Sequence, residues 1–123
     1  VRPEERVEQK ARELVWIYLG IRSSRLKVLG DNGYPDDIFW LPGGKPLLIE
    51  FKDEDEEPRP LQDEVINELR ELGYEVQVHT TAHGAFGAVI DAVDSPQLPK
   101  ESRKILARAR RCCAVLRSRA GKD

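Results

Sequence analysis

Methionine does not occur in the 123 residues, histidine and cysteine occur twice each, and no apolar run nears membrane-spanning length. Each shortage closes off some chemistry. With no methionine even at position 1, the chain reads as processed or trimmed, and no signal peptide is read at its start. Cys112 and Cys113 are neighbours. Adjacent cysteines bridge only under strain and lack zinc-type spacing, so they read as reduced thiols in a cytoplasmic protein. The histidines, His79 and His83, fall in "HTTAH" with no carboxylate between them, and they read as structural rather than as a metal pair. A phosphate-cradling glycine loop and a Ser-His-Asp arrangement are both missing.

Charge is plentiful and unevenly placed. Residues 1–99 hold 11 basic and 20 acidic residues, whereas residues 100–123 hold 9 basic and 2 acidic. An acidic body with a basic tail fits a partner of opposite charge, nucleic acid above all, with a solvated helix face as the plain alternative. The length fits one domain, residues 1–123, with its own core.

Periodicity orders the elements. Pro3, with Glu4 and Glu5 beside it, opens a helix whose apolar stripe is Val7, Ala11, Leu14, Val15 and Tyr18, and Gly20 closes it. Arg25 to Leu29, Asp37 to Leu41 and Leu47 to Lys52 read as strands, the last two joined by the hairpin turn "PGGKP". "DEDEEPRP" reads as a loop. A second helix from about Pro60 shows the stripe Leu61, Val65, Leu69 and Leu72 and stops at Gly73. Glu75 to His79 is a fourth strand, Ala82 to Val93 a short helix in which Gly84 and Gly87 flank Phe86, and Lys100 to Arg119 a basic C-terminal helix. The order α-β-β-β-α-β-α-α predicts an α/β fold with a central mixed sheet flanked by helices, the fourth strand parallel to one of the others.

The chemistry concentrates in "GYPDDIFWLPGGKPLLIEFKDEDEE". Alternation puts Leu48, Glu50 and Lys52 on one face of a greasy strand and Ile49 and Phe51 on the other. A carboxylate there is costly unless it is paired or binds a metal. A hairpin of this length brings Asp36, at the start of one strand, towards Glu50, at the end of the next. Two converging carboxylates with a lysine beside them suit Mg2+ or Mn2+. Such an ion acidifies water and neutralises charge building on a phosphate, and Lys52 is placed to orient an attacking water. The competing reading is a Glu50–Lys52 surface ion pair at a frayed strand end.

"GYPDD", "IEFK" and "RPLQDEVINELRELGYEVQVHT", in that order, resemble the VRR-NUC family, the virus-type replication-repair nucleases of the PD-(D/E)xK superfamily. The resemblance runs from about Val7 to Thr80 and is strongest from Gly33 to Val78. It implies a restriction-endonuclease-like fold, with Asp36, Glu50 and the Phe51 carbonyl as metal ligands and Lys52 as the catalytic lysine. It also implies Gln62 as the glutamine that supports the site, and a first-helix glutamate, which falls on Glu8 with Glu4 in reserve. Arg25 or Lys27 matches a region where relatives carry a lysine, and either is placed to contact phosphate. The loop "DEDEEPRP" departs from the short loop of many relatives, and its acids would repel a DNA backbone. The reading is therefore a metal-dependent endonuclease on branched DNA such as four-way junctions, similar to stand-alone bacterial and phage proteins that act as homodimers. Trp16 and Trp40 read as packing or interface groups, with Trp16, opposite the first helix's stripe, the better candidate for a subunit contact, and Arg108, Arg110 and Arg111 of the basic helix are the candidate DNA handle. Two rivals are a silent binding module of the same fold and a nuclease acting on simple ends or on one sequence.

Overall fold

The computed structural model describes residues 3–26, 33–56 and 60–93, together with Ala107 and Arg111, both helical and exposed. Helix α1 spans Pro3–Leu19, strand β1 Ser23–Arg25, β2 Asp37–Trp40, β3 Pro46–Phe51, helix α2 Pro60–Glu71, β4 Glu75–His79 and α3 Ala82–Val93. The sheet order is β1-β2-β3-β4. The first two pairings are antiparallel, and β3–β4 is parallel through the α2 crossover. This is the mixed sheet flanked by helices that the periodicity predicts. Among the described residues no helix is long and apolar enough to cross a membrane.

The hairpin between β2 and β3 turns on Gly43 (φ 88°) and Gly44 (φ 74°), two left-handed positions that side chains disfavour. Its register sets Asp37 opposite Ile49 and Ile38 opposite Leu48. Asp36 therefore lies level with Glu50.

Each face of the sheet is covered. Phe39, Leu47, Ile49 and Phe51 pack with Ala11, Leu14 and Val15 of α1 and with Ala85, Phe86, Val89 and Ile90 of α3. Tyr18 leans on Phe86 with ring centroids 5.9 Å apart. On the other face Leu48 and Val76 pack with Ile66, joined by Ile38 and Leu69. Arg70 ties α2 down by donating twice to the Val76 carbonyl, at 3.1 and 2.8 Å. Each buried large side chain contributes about 1.5–3 kcal/mol, so two clusters can carry a few awkward buried acids between them.

Three sequence expectations need correction. The first strand is Ser23–Arg25 and begins two residues before the expected Arg25, because the partners offered by β2 are Phe39, Ile38 and Asp37, reached by the polar Ser23, Ser24 and Arg25; 27–29 lie outside the described residues. The apolar run after Arg25 drew the expectation downstream. The buried edge of α2 holds Gln62 and Ile66, whereas Leu61 and Leu72 are exposed. Leu61 lies one residue off the Gln62–Ile66 edge, and Leu72 follows the end of the helix at Glu71. In β3 the strand begins at Pro46 and ends at Phe51, one residue short of Lys52. Lys27, the cysteine pair, Arg108, Arg110 and the span Lys100 to Arg119 apart from Ala107 and Arg111 lie outside the described residues.

Candidate active site

Four polar side chains among the described residues are nearly removed from solvent: Glu8, Asp37, Glu50 and Gln62. They come from α1, β2, β3 and α2, and they meet at one end of the sheet. Three of them, Glu8, Glu50 and Gln62, line a cavity of about 160 Å3 together with Glu4, Glu5, Arg25, Tyr34, Asp36, Phe51 and Glu56. Among the described residues, six carboxylates thus face a single arginine across a small space. That arrangement is costly without a cation.

Asp36 sits just before β2, where Pro35 is buried and the chain is tied by Leu26 N–H donating to the Asp36 carbonyl at 2.7 Å. Its Oδ2 accepts the Phe51 N–H at 2.8 Å, which fastens it to the end of β3. The Gly-x-Pro-Asp turn is pressed against α2: a Cβ on Gly33 would collide with the Val65 side chain. Gly33→Ala is expected to displace the turn, lower the melting temperature by several degrees and weaken any metal response in parallel. Thermal melting with and without Mn2+ checks this.

Glu50 is 3% exposed, so the surface ion-pair reading does not hold. Its Oε1 is buried without a hydrogen-bond partner. Burial, and then the bonded Asp36 carboxyl with its charge, push the Glu50 pKa up to about 9, against the pull of Lys52. Lys52 does not line the cavity but lies close enough for its charge to act on Glu50.

Glu8 is held by Arg25 at 2.8 Å. Its pKa is raised, mostly by burial and also by Asp36, with Arg25 opposing. The choice between Glu8 and Glu4 resolves spatially in favour of Glu8 as the buried acid, while Glu4 lines the same cavity. Arg25 lines the cavity already paired to that acid.

Sequence reasoning missed three acids. Glu5, which the helical wheel turns away from the site, lines the cavity beside Glu4. Asp37 is fully buried and points to the α1 face, as alternation from Asp36 requires. Arg12 Nε stands 3.7 Å from its Oδ1, and burial followed by the Glu8 charge raises its pKa to about 8. The only signal for it was the doubled aspartate in "PDD". Glu56 comes back to the cavity from the acidic loop through a turn in which its N–H donates to the Asp53 carbonyl at 3.1 Å. Nothing in the loop's composition singles it out from its neighbours.

His79 Nε2 bonds Gln77 Oε1 at 2.8 Å, burial lowers its pKa, and Thr81 between the two histidines caps α3 by accepting the Gly84 N–H at 3.0 Å.

Comparison with solved structures finds a protein described as a "VRR_NUC domain" that superposes with a TM-score of 0.60 at 29% identity, covering 78% of this chain and 99% of that one. The fold is that of a VRR_NUC domain. No family model matches the chain, and no curated protein matches it. The VRR_NUC likeness rests on the α-β-β-β-α-β-α order and on sequence agreement together.

The donor set was tested for fit to a divalent ion. Among the described residues no three ligating side chains form a ready cage. Mg2+ does not require one: it typically takes one or two carboxylates and keeps several waters. Asp36 and Glu50 are hard oxygen donors, and the Glu50 Oε1 is a buried acceptor with nothing bonded to it. The residues fit such an ion.

Proposed function

We propose that this VRR_NUC-like domain, residues 1–123, is a Mg2+- or Mn2+-dependent DNA endonuclease that hydrolyses phosphodiester bonds in branched DNA such as four-way junctions, working as a homodimer. The observation that carries the reading is the Asp36–Glu50 pair, two carboxyls joined at the sheet end with the buried Glu50 Oε1 unpartnered.

Asp36, Glu50 and the Phe51 carbonyl hold the ion in this reading, with Glu8 behind them. When bound, the ion neutralises charge developing on the phosphate and eases ionisation of a water. Glu50 must give up its proton to serve, so binding releases a proton and tightens as pH rises. Lys52 extends from the end of β3 and orients the attacking water with its ammonium. Gln62, buried on the first turn of α2, supports the cluster with an amide that adds no charge. Arg25 holds Glu8 and offers its exposed side to a phosphate.

The test is cleavage of linear, flapped and four-way DNA with Mg2+ and Mn2+. Preferential cutting of the four-way substrate, lost in EDTA, is the expected result. Binding without cutting under every metal condition identifies a silent module instead, and equal cutting of linear ends removes the branched-DNA specificity.

The acidic body needs an electrostatic handle for DNA, and the basic tail supplies one. Replacing Arg108, Arg110 and Arg111 with glutamine is expected to weaken DNA binding at moderate salt. It should also flatten the log–log salt dependence by about 0.9 for each phosphate that is no longer neutralised. Binding isotherms across a salt series check this. Loss of dimerisation or of melting temperature with an unchanged slope would show instead that these arginines neutralise acids such as "DEDEE" within the dimer.

A further inference from the structure

Both tryptophans of the chain stand on one open cleft of about 510 Å3, between the later turns of α1 and the β1–β2 edge. Each ring is 52% exposed. Exposed indoles are expensive in water, yet these two are fixed in place. The Trp40 indole N–H donates to Ser24 Oγ at 2.9 Å, and the Arg22 guanidinium lies 5.1 Å from the Trp16 ring centroid. A flat partner would therefore meet surfaces whose rotamers are already ordered.

The cleft and the acid cavity both draw on α1 and β1. Arg12 lines the cleft and also reaches Asp37, while Glu8, one turn earlier on α1, lines the cavity. From Glu8 to Trp16 the helix rises about 12 Å, or three to four stacked nucleotide steps at about 3.4 Å each. Charge reverses along this path. Two arginines, Arg12 and Arg22, face the cleft against the one carboxylate of Glu13.

We propose that the Trp16–Trp40 cleft takes an unpaired nucleobase from the DNA strand whose phosphodiester lies at the acid cavity. The proposal rests on the nuclease reading above and adds a selection rule to it. Every base has a π-face, so stacking here is indifferent to sequence. It does require a base free of its partner, as at a branch or in a single strand. Arginines beside the rings suit the phosphates flanking such a base. A second copy of the chain suits the cleft less well, because a two-fold contact sets Arg12 and Arg22 near their own copies.

The two indoles are the chain's only ones, so intrinsic tryptophan emission reports this cleft alone. A short oligothymidylate is titrated into the full chain in EDTA, against an abasic oligomer of equal length and a fully paired duplex. The expected result is emission quenched about twofold by oligothymidylate and unmoved by the other two. Trp40→Ala is expected to weaken oligothymidylate binding by about 5- to 140-fold, the range for removing one stacked base. Trp16→Phe and Trp40→Phe each keep an aromatic wall and leave one reporting ring, so the readout does not depend on the alanine variant. Equal binding and quenching by the abasic oligomer overturns the proposal. So does emission that follows protein concentration and dimer formation but ignores DNA, which makes the cleft a subunit contact. Cleavage of the same DNAs with Mn2+ runs in parallel. Cutting with unchanged emission removes the cleft and leaves the nuclease, whereas oligothymidylate-specific quenching without cutting upholds the cleft and removes the nuclease.

Discussion

Glu50→Gln is expected to abolish DNA cleavage and to raise the melting temperature of the metal-free protein. The two effects share one cause. The carboxyl sits 3% exposed beside Asp36, with its Oε1 unpartnered and its pKa pushed up to about 9. As an acid it is kept at a cost in folding stability, and in the proposed function it serves as a ligand. Glutamine preserves shape and cannot ionise. Loss of a ligand that positions the ion and balances charge at the phosphate is expected to cost at least about 10^2- to 10^3-fold in kcat, the equivalent of the roughly 2.7–4 kcal/mol that single electrostatic stabilisers supply. Asp36→Ala and Lys52→Ala are expected to lose cleavage comparably with the fold intact. Single-turnover cleavage together with thermal melting checks all three, and substantial activity in Glu50→Gln would sink the assignment.

Metal should stabilise the protein more as pH rises. The sign follows from the raised pKa values. Glu50 at about 9 and Asp37 at about 8 bind protons in the folded state that the unfolded chain releases near 4.5 and 3.8. Between those limits the native state holds more protons, so the metal-free protein loses stability with increasing pH, by about 1.4 kcal/mol per unit for each such group fully protonated only when folded. In the proposed function a divalent ion takes the place of the Glu50 proton. At a hundredfold excess over Kd it contributes about 2.7 kcal/mol, roughly 10 °C for a domain of this size. The gain in Tm from Mn2+ is expected to be small at pH 6 and large at pH 8.5, and Asp36→Asn is expected to lose most of it. A response to Mn2+ that is equal in Asp36→Asn and the parent would put the ion elsewhere, the acidic loop being the first place to look.

The element order and the Asp36–Glu50 convergence were legible because they depend on local rules. Alternation, a short hairpin and proline-marked boundaries bring the start of β2 level with the end of β3 whatever surrounds them. Gln62 and Glu8 were reached only through resemblance, since helical periodicity alone places neither against a strand end. Asp37 was illegible for a different reason. Its burial depends on α1 lying across β2 with Arg12 and Glu8 at the crossing, a tertiary fact with no local signature. The same holds for Glu56, whose return to the site depends on the turn after β3. In α2, the apolar stripe pointed one residue away from the edge that packs, because the helix turns Gln62 and Ile66 inward and leaves Leu61 outside, an orientation set by what the helix meets and not by its own periodicity.

The parallel pairing of β3 with β4 has a consequence for the life of the chain before it is finished. A hairpin closes within a few residues, but β4 can dock only after all of α2 has been made and folded back. A growing polypeptide that has reached the end of β3 already holds both acids of the pair, with one edge of β3 bare and Gln62 still unmade. During that interval the two acids have neither their parallel neighbour strand nor the α2 residue that closes the cavity over them. The acid cavity is thus completed only when the crossover closes.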